Sequence, residues 1–259
     1  MSHILEVRNV TRRFGGLVAV NSVSFGVGEK EILSVIGPNG AGKSTLFKLI
    51  ASFLRTTSGE VIFNGEKISD LAPHVVARKG VVRTFQETTI FRSMTVRDNV
   101  IIAHHLRSRS SLWGFFLGSA VAREDERAFG RSADEILGFL GLGDIAGELA
   151  SNLPQGHLRA LGIAIGLATD PKVLLLDEPF AGMNHDETMR TVELVRGVRD
   201  RGVTVLLVEH DMPAVMRISD RIVVINFGEK IAEGTPAEIQ NNERVIEAYL
   251  GSEDAAIGI

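Results

Sequence analysis

The nine residues at positions 37–45 constrain the fold of this 259-residue chain more than any other stretch. They are Gly37, Pro38, Asn39, Gly40, Ala41, Gly42, Lys43, Ser44 and Thr45. An apolar run at 32–36 precedes them, and the segment 46–50 that follows has a helical composition. Glycines at these spacings let the backbone curl until successive N–H groups point inward, which makes a nest for an anion. The pattern therefore predicts a phosphate-binding loop between a strand and a helix.

The parts of this loop suit a nucleoside triphosphate with its Mg²⁺. The start of the following helix adds the positive end of its dipole to the backbone N–H groups. The Lys43 ammonium can reach the β- and γ-phosphates, and the Ser44 hydroxyl can bind Mg²⁺. The alternative is a chance match to a glycine-rich turn, which the strand before the loop and the helix after it disfavour.

The composition is that of an ordinary globular protein, with 44% hydrophobic and 23% charged residues. A net charge of -4 supplies no electrostatic reason to bind nucleic acid. The chain has no cysteine, so disulfides and thiolate metal sites are excluded. We read neither a signal peptide nor an apolar run of membrane-spanning length. We therefore expect a cytosolic or peripheral protein whose contact with a membrane needs a partner.

Short patterns predict individual elements. Asn64-Gly65 is a hairpin-turn signal at the end of a strand, Thr95 is a candidate N-cap of a helix at 95–106, and a further helix is predicted from Leu158 to Thr169.

Strand and helix patterns alternate on both sides of the phosphate loop. The runs 173–176 and 203–208 are apolar without polar alternation, which suits central parallel strands covered on both faces. The alternation predicts an α/β fold with a doubly wound sheet. The predicted subregions of this single domain are an α/β core with an antiparallel β lobe at 1–86 and 166–235, a helical subdomain at 87–165, and a C-terminal helix and tail at 236–259.

Polar residues that suit triphosphate chemistry stand at the ends of other predicted strands. Asp177 ends an apolar strand, and its carboxylate can hold the Mg²⁺ shell. Glu178 comes next and can polarise a water molecule aimed at the γ-phosphate. Gln86 can bind Mg²⁺ or orient that water, and His210 can donate to the γ-phosphate or steady Glu178. Each residue alone has a structural alternative, such as a helix start or a core histidine. Together at strand ends they favour the functional interpretation, because ligands of such sheets gather there.

In this order, the motifs resemble those of the ATP-binding subunits of ABC transporters. The matching segments are the Walker A loop at 37–45, the Q-loop at Gln86, the Walker B strand at 173–177 with the catalytic carboxylate Glu178, the D-loop at 181–184 and the switch histidine His210. Phe14 stands where this family places the aromatic ring that stacks on adenine. The resemblance implies a P-loop NTPase core with a β-rich N-terminal lobe and an inserted helical subdomain. It also implies ATP and Mg²⁺ as ligands, and ATP hydrolysis as the reaction.

Within that family, the chain is most similar to the ATPases of branched-chain amino acid importers. The resemblance lies in the segments 13–20, 91–100 and 233–251, and in Asn184, where many ABC proteins have aspartate. Amide and urea importers share much of this pattern. The cargo therefore stays open between branched-chain or other hydrophobic amino acids, urea or amides, and lipid.

The signature loop departs most from the family pattern of Leu-Ser-Gly-Gly-Gln. The chain has Leu-Pro-Gln-Gly-His at 153–157, so that Pro154 replaces the serine and His157 the glutamine. Gly156 is kept, and the resemblance places it against ATP bound to the partner subunit. Gly162 and Ile165 stand where glutamate and arginine are common. A lost charge-assisted hydrogen bond is worth ~1.5–3 kcal/mol, so we expect slower hydrolysis rather than loss of ATP binding.

The resemblance also implies partners. Two ATPase subunits, identical or different, pair head to tail, so that each ATP lies between Walker A of one chain and the signature loop of the other. The pair drives integral membrane permease subunits at the cytoplasmic face of the inner membrane, and a solute-binding protein takes part indirectly. Two other classes are considered: an ABC-type ATPase that acts on nucleic acid or translation, and a regulatory module without catalysis. The acidic net charge and the absence of a coiled-coil insertion disfavour the first.

The helical lobe contains an aromatic segment at 112–117. Trp113, Phe115 and Phe116 lie there, with arginines nearby in 107–122. They either dock on the membrane surface or the permease, or pack on the helical lobe itself.

Overall fold

The computed structural model describes residues 3–84, 90–104 and 120–250, with side chains except at 120–123 and 250. The strands are β1 (Leu5–Phe14), β2 (Leu17–Val27), β3 (Ile32–Ile36), β4 (Ser58–Phe63), β5 (Glu66–Lys67), β6 (Val81–Arg83), β7 (Val173–Asp177), β8 (Thr204–Val208), β9 (Arg221–Asn226) and β10 (Glu229–Gly234). The helices are α1 (Lys43–Ile50), α2 (Pro73–Lys79), α3 (Val96–His104), α4 (Ala120–Phe139), α5 (Gln155–Ala168), α6 (His185–Asp200), α7 (Met212–Ile218), α8 (Pro236–Gln240) and α9 (Glu243–Leu250).

Contacts divide the chain into two compact units. The first comprises Met1–Arg83 and Lys172–Ile259, and the second comprises Thr84–Pro171. The predicted second boundary, at 165/166, falls inside α5. The structure places it after the helix because the Thr169 and Asp170 amides still donate to helix carbonyls, which completes the last turn.

The first unit contains an antiparallel sheet in the order β2-β1-β4-β5. Strand β1 pairs with both β2 and β4, with Leu5 opposite Val27 on one side and Phe63 on the other. The predicted Asn64-Gly65 turn joins β4 to β5, and both residues have positive φ, as a tight hairpin turn requires. This sheet is the expected β-rich lobe.

A six-stranded sheet in the order β10-β9-β3-β8-β7-β6 forms the centre of the same unit. Strands β9, β3, β8, β7 and β6 are parallel, and β10 turns back antiparallel to β9. Every residue of β3, β7 and β8 is buried. These strands lack polar alternation because both faces of the sheet are covered.

The main core lies between this sheet and α1. Alternate residues of the central strands, such as Leu33 and Leu206, pack in one cluster with Leu46, Phe47 and residues of the antiparallel sheet. Successive side chains of a strand point to opposite faces, so the intervening residues face the other side of the sheet. The apolar face of α1 thus holds the phosphate loop, which immediately precedes the helix, against the end of β3.

The second unit contains α3, α4 and α5, which contact one another. Thr95 caps α3 as predicted, because its hydroxyl accepts the Asp98 amide at 3.0 Å. The buried side chain of Asn99 donates to and accepts from the backbone of Phe91, at 3.0 and 2.8 Å. No helix within the described ranges combines the length and apolar character needed to span a bilayer. The aromatic segment at 112–117 lies outside the described residues.

Leu206→Ala in β8 should lower the free energy of unfolding by ~2–5 kcal/mol, because it opens a cavity in a fully buried strand. The matched control is Leu17→Ala in β2, whose side chain is 66% exposed, with an expected change below about 1 kcal/mol. Urea unfolding measures both. Equal losses in the two variants would contradict the assignment of β8 to the core.

Candidate nucleotide site

Two glycines of the phosphate loop have backbone conformations that exclude other residues. Gly37 has φ 151° and Gly42 has φ 103°. A Cβ at Gly37 would overlap the carbonyl oxygen of Ile225, and a Cβ at Gly42 would overlap that of Ala19. The loop therefore runs against two strands with no space for side chains, and its tight curl depends on glycine at both positions.

Lys43 folds back over its own loop. Its side chain is buried, and its Nζ donates to the carbonyl oxygens of Gly37 at 2.6 Å and Pro38 at 3.0 Å. The ammonium is thus held inside the curl of the loop. Ser44, the next residue, is exposed in the first turn of α1. The cation and the hydroxyl therefore lie together at the helix start, as a triphosphate site requires.

Parallel pairing brings the ends of three strands together. Strands β3, β8 and β7 are neighbours, and their registers place Val35 beside Val208 and Val208 beside Asp177. The phosphate loop follows β3, His210 follows β8 and Glu178 follows β7. The structure thus gathers four of the predicted site residues, Lys43, Asp177, Glu178 and His210, at one edge of one sheet. Gln86, the predicted fifth, lies outside the described residues.

Asp177 is held by a cation that the sequence analysis missed. Arg83 at the end of β6 forms an ion pair with the Asp177 carboxylate, and both side chains are more than nine-tenths buried. Strand β6 pairs with β7, so the two side chains approach across neighbouring strands. A buried charge needs such a partner, and the pair fixes the orientation of the carboxylate.

Glu178 has a strained backbone. Its φ is 50°, although it is not glycine, and its amide donates to the Val208 carbonyl at 2.9 Å. Left-handed geometry at such a residue costs ~1–3 kcal/mol and persists where the surroundings hold it. The residue predicted to polarise water is thus turned away from the strand direction and tied to the end of β8.

A third carboxylate at this edge, Glu209, lies between Val208 and His210 and is 1% exposed. It accepts hydrogen bonds from the amides of Phe180 at 2.7 Å, His210 at 3.0 Å and Asp211 at 3.4 Å. Burial raises the pKa of Glu209, and these hydrogen bonds oppose the shift. His210 itself is largely exposed, with Nδ1 3.8 Å from a Glu209 oxygen.

The sequence signal for Arg83 and Glu209 was present but weak. Each is a charged residue directly at the end of a short apolar strand, the position at which Asp177 was recognised. Neither belongs to a phosphate-binding pattern, so only the pairing of strands shows what their side chains contact.

Phe14 ends β1 and is 43% exposed. The Arg12 guanidinium lies over its ring, 4.5 Å from the ring centre, and Arg12 also donates to the Arg55 carbonyl at 2.9 Å. This cation–π contact orients an exposed ring that would otherwise rotate. The predicted stacking of Phe14 on adenine stays a prediction.

The signature loop forms the start of α5 in the second unit. Pro154 is the N-cap and Gln155 the first helical residue, three positions earlier than the predicted start at Leu158. Proline has no side-chain acceptor for the first-turn amides. Gly156 is partly buried within that first turn, whereas His157 is exposed. The loop thus forms the N-terminus of α5.

The D-loop leads into α6 through a capping box. Asn184 accepts the Glu187 amide at 3.0 Å, and the Glu187 carboxylate accepts the Asn184 amide at 3.0 Å. Asparagine and aspartate serve equally as N-caps, which explains why Asn184 suits this position.

The donor set fits Mg²⁺ bound together with phosphate. Ser44 and Asp177 would supply hydroxyl and carboxylate oxygens, which are hard ligands, at the sheet edge where the phosphate loop lies. Among the described residues, no group of three or more histidine, aspartate or glutamate side chains could hold a metal by itself. Phosphate oxygens would complete such a site.

The sequence profile of ABC transporters matches residues 20–181. The chain belongs to the ABC transporter family. The profile of the branched-chain amino acid ATP-binding cassette transporter matches a further segment, residues 229–255. The predicted family and α/β fold class are thereby confirmed, and ATP or ADP is the nucleotide expected for this ABC ATPase.

Two curated relatives cover nearly the whole ABC ATPase. The high-affinity branched-chain amino acid transport ATP-binding protein BraF of Pseudomonas aeruginosa is 45% identical over 249 residues, which are 96% of this chain and 98% of the relative. The protein LivG of Escherichia coli K12, with the same description, is 44% identical over 250 residues, with the same coverage. A crystal structure of the ADP conformation of an ATP-binding cassette of an ABC transporter is 31% identical, with a TM-score of 0.85 over 97% of this chain and 100% of that one.

Arg83→Met should lower the free energy of unfolding by ~3–5 kcal/mol, because it leaves the Asp177 carboxylate buried without its partner. Adding Asp177→Asn should recover part of that loss, since it removes the unpaired charge. The control is Arg199→Met. The ion-pair partners of Arg199 are exposed, so this substitution should lower the free energy of unfolding by less than about 1 kcal/mol. Urea unfolding measures all variants. Additive losses in the double variant would show that the ion pair is not coupled.

Proposed function

We propose that this chain is the ATP-hydrolysing subunit of an importer for branched-chain or other hydrophobic amino acids. The observation that carries the ATPase role is the common sheet edge at which the phosphate loop, Asp177, Glu178 and His210 meet. The observation that supports the cargo is the similarity to BraF and LivG, together with the profile match at 229–255.

In this proposal, the phosphate loop binds the triphosphate. Its inward N–H groups and the Lys43 ammonium contact the β- and γ-phosphates. Ser44, Asp177 and Gln86 would hold Mg²⁺, which would supply positive charge to the phosphate oxygens. Phe14 stacks on the adenine ring, and Arg12 keeps the phenyl ring in position for it.

Glu178 and His210 act on the γ-phosphate. The Glu178 carboxylate accepts a proton from water as the water oxygen bonds to the γ-phosphorus, and the bond to the ADP oxygen breaks. His210 donates a hydrogen bond to the γ-phosphate. The strained backbone of Glu178 serves this step, because it fixes the carboxylate at the sheet edge before water arrives.

The complete site needs a second ATPase subunit. Gly156 and the N-terminus of α5 face ATP bound to the partner subunit, and the pairing is head to tail. The pair works as a peripheral assembly at the cytoplasmic face of the inner membrane, on permease subunits fed by a solute-binding protein. Closure on ATP and reopening after hydrolysis couple nucleotide to transport.

Glu178→Gln should lower ATP hydrolysis about 100-fold or more, because an amide cannot accept the proton. ATP binding should persist, and paired subunits should accumulate in the ATP-bound state. The control is Lys43→Ala, which should weaken ATP binding itself. Phosphate release, ATP binding and leucine uptake are measured with the permease and the solute-binding protein in vesicles. Rapid hydrolysis by the Glu178 variant would show that Glu178 is not the base that accepts the proton from water. Uptake of urea but not leucine would overturn the proposed cargo.

Pro154→Ser should raise ATP hydrolysis or leave it unchanged. A serine hydroxyl would cap the first-turn amides of α5, a stabilisation of ~1 kcal/mol, and would add a donor towards the partner's γ-phosphate. The control is Pro154→Ala, which supplies neither group and should not raise activity. The steady-state rate of phosphate release measures the activity of both variants. A large loss with serine would show that proline is required in this loop.

A further inference from the structure

The loops after β7 and β8 are joined by one buried side chain. Oε1 of Glu209 accepts the Phe180 amide at 2.7 Å, and Oε2 accepts the His210 amide at 3.0 Å. The first amide belongs to the turn that follows Glu178, and the second belongs to the predicted switch histidine. One carboxylate therefore connects the backbones on which the two catalytic groups are placed.

We propose that Glu209 is a positioning residue for hydrolysis, which holds the backbone of His210 against the turn that follows Glu178. This inference rests on the proposed function, because it assigns Glu209 a task only if His210 acts on the γ-phosphate. The predicted reactive groups are Glu178 and His210, and Glu209 acts through the second of them.

The buried Glu209 side chain lies between the two loops. A carboxylate that is 1% exposed is costly to desolvate, and its hydrogen bonds to main-chain amides compensate only in part. An apolar side chain of the same volume would avoid that cost but would leave the Phe180 and His210 amides without this acceptor. What an apolar residue lacks is a pair of acceptors that face different loops.

The neighbouring contacts show which parts of the two loops are held without Glu209. Asp211 caps α7 through the Ala214 amide at 3.0 Å, so the backbone beyond His210 is fixed by the helix. Glu178 is fixed on the other side by the Val208 carbonyl. The His210 side chain is 60% exposed, so packing holds the imidazole only in part. The Glu209 carboxylate accepts the His210 amide and the Phe180 amide, and so holds the His210 backbone in place relative to the turn after Glu178.

Glu209→Gln tests this positioning with little change of volume. An amide can offer its oxygen to only one loop, and its NH₂ group then meets the N–H donor of the other. We expect kcat for ATP hydrolysis to fall about 10- to 100-fold, because small misplacements of reacting groups have such effects. ATP affinity should change less than about 3-fold, since the phosphate loop is untouched.

The control is Asp220→Ala at the opposite edge of the sheet. Asp220 also accepts a strand amide, that of Ile32 at 2.8 Å, at the start of β3. Its loss should lower the melting temperature as Glu209→Gln does, but kcat should stay unchanged. A purely structural role of Glu209 would make the two variants alike in kcat, and that result would overturn the proposal.

A double variant separates this inference from the proposed function. Single-turnover hydrolysis is measured for Glu209→Gln, His210→Ala and both together. If Glu209 acts through His210, the double variant should be no slower than His210→Ala within about 2-fold. Fully multiplicative losses would overturn the inference and leave the role of His210 intact. Wild-type activity of His210→Ala would overturn the role of His210, and with it the inference.

If Glu209→Gln does not fold, Glu209→Asp, which keeps both oxygens on a shorter side chain, takes its place with the same expected outcomes.

Discussion

The parallel pairing of β3, β8 and β7 is the constraint on which the site depends. These strands are buried along their whole length, so their register is set by the core and not by the residues at their ends. A shift of one residue would turn the apolar side chains of a strand to the wrong face. The same packing that stabilises the sheet therefore fixes the relative positions of the phosphate loop, Asp177 and His210.

Charge at that edge is compensated in three different ways. The Lys43 ammonium donates to carbonyls of its own loop, Asp177 pairs with Arg83, and Glu209 accepts main-chain amides. Each solution keeps a buried charge satisfied without moving the backbone. The lysine binds carbonyl oxygens that belong to the loop itself, so phosphate oxygens can replace them without a change of fold.

Local patterns predicted what depends on neighbouring residues along the chain. The phosphate loop, the capped start of α3 at Thr95 and the Asn64-Gly65 turn all follow from a few residues and their backbone preferences. One helix was predicted to begin at the wrong residue. The start of α5 was placed three residues late, because nothing local requires a helix to begin directly after Pro154.

The sequence by itself determined the family, the α/β class and the identity of most residues proposed for the site, because these follow from motif spacing and from the period of apolar residues. The tertiary structure alone decided which charges meet. Arg83 reaches Asp177 across 94 positions of the chain, and Glu209 reaches the Phe180 amide across 29. Such contacts depend on strand order, and strand order is set by the packing of the whole sheet.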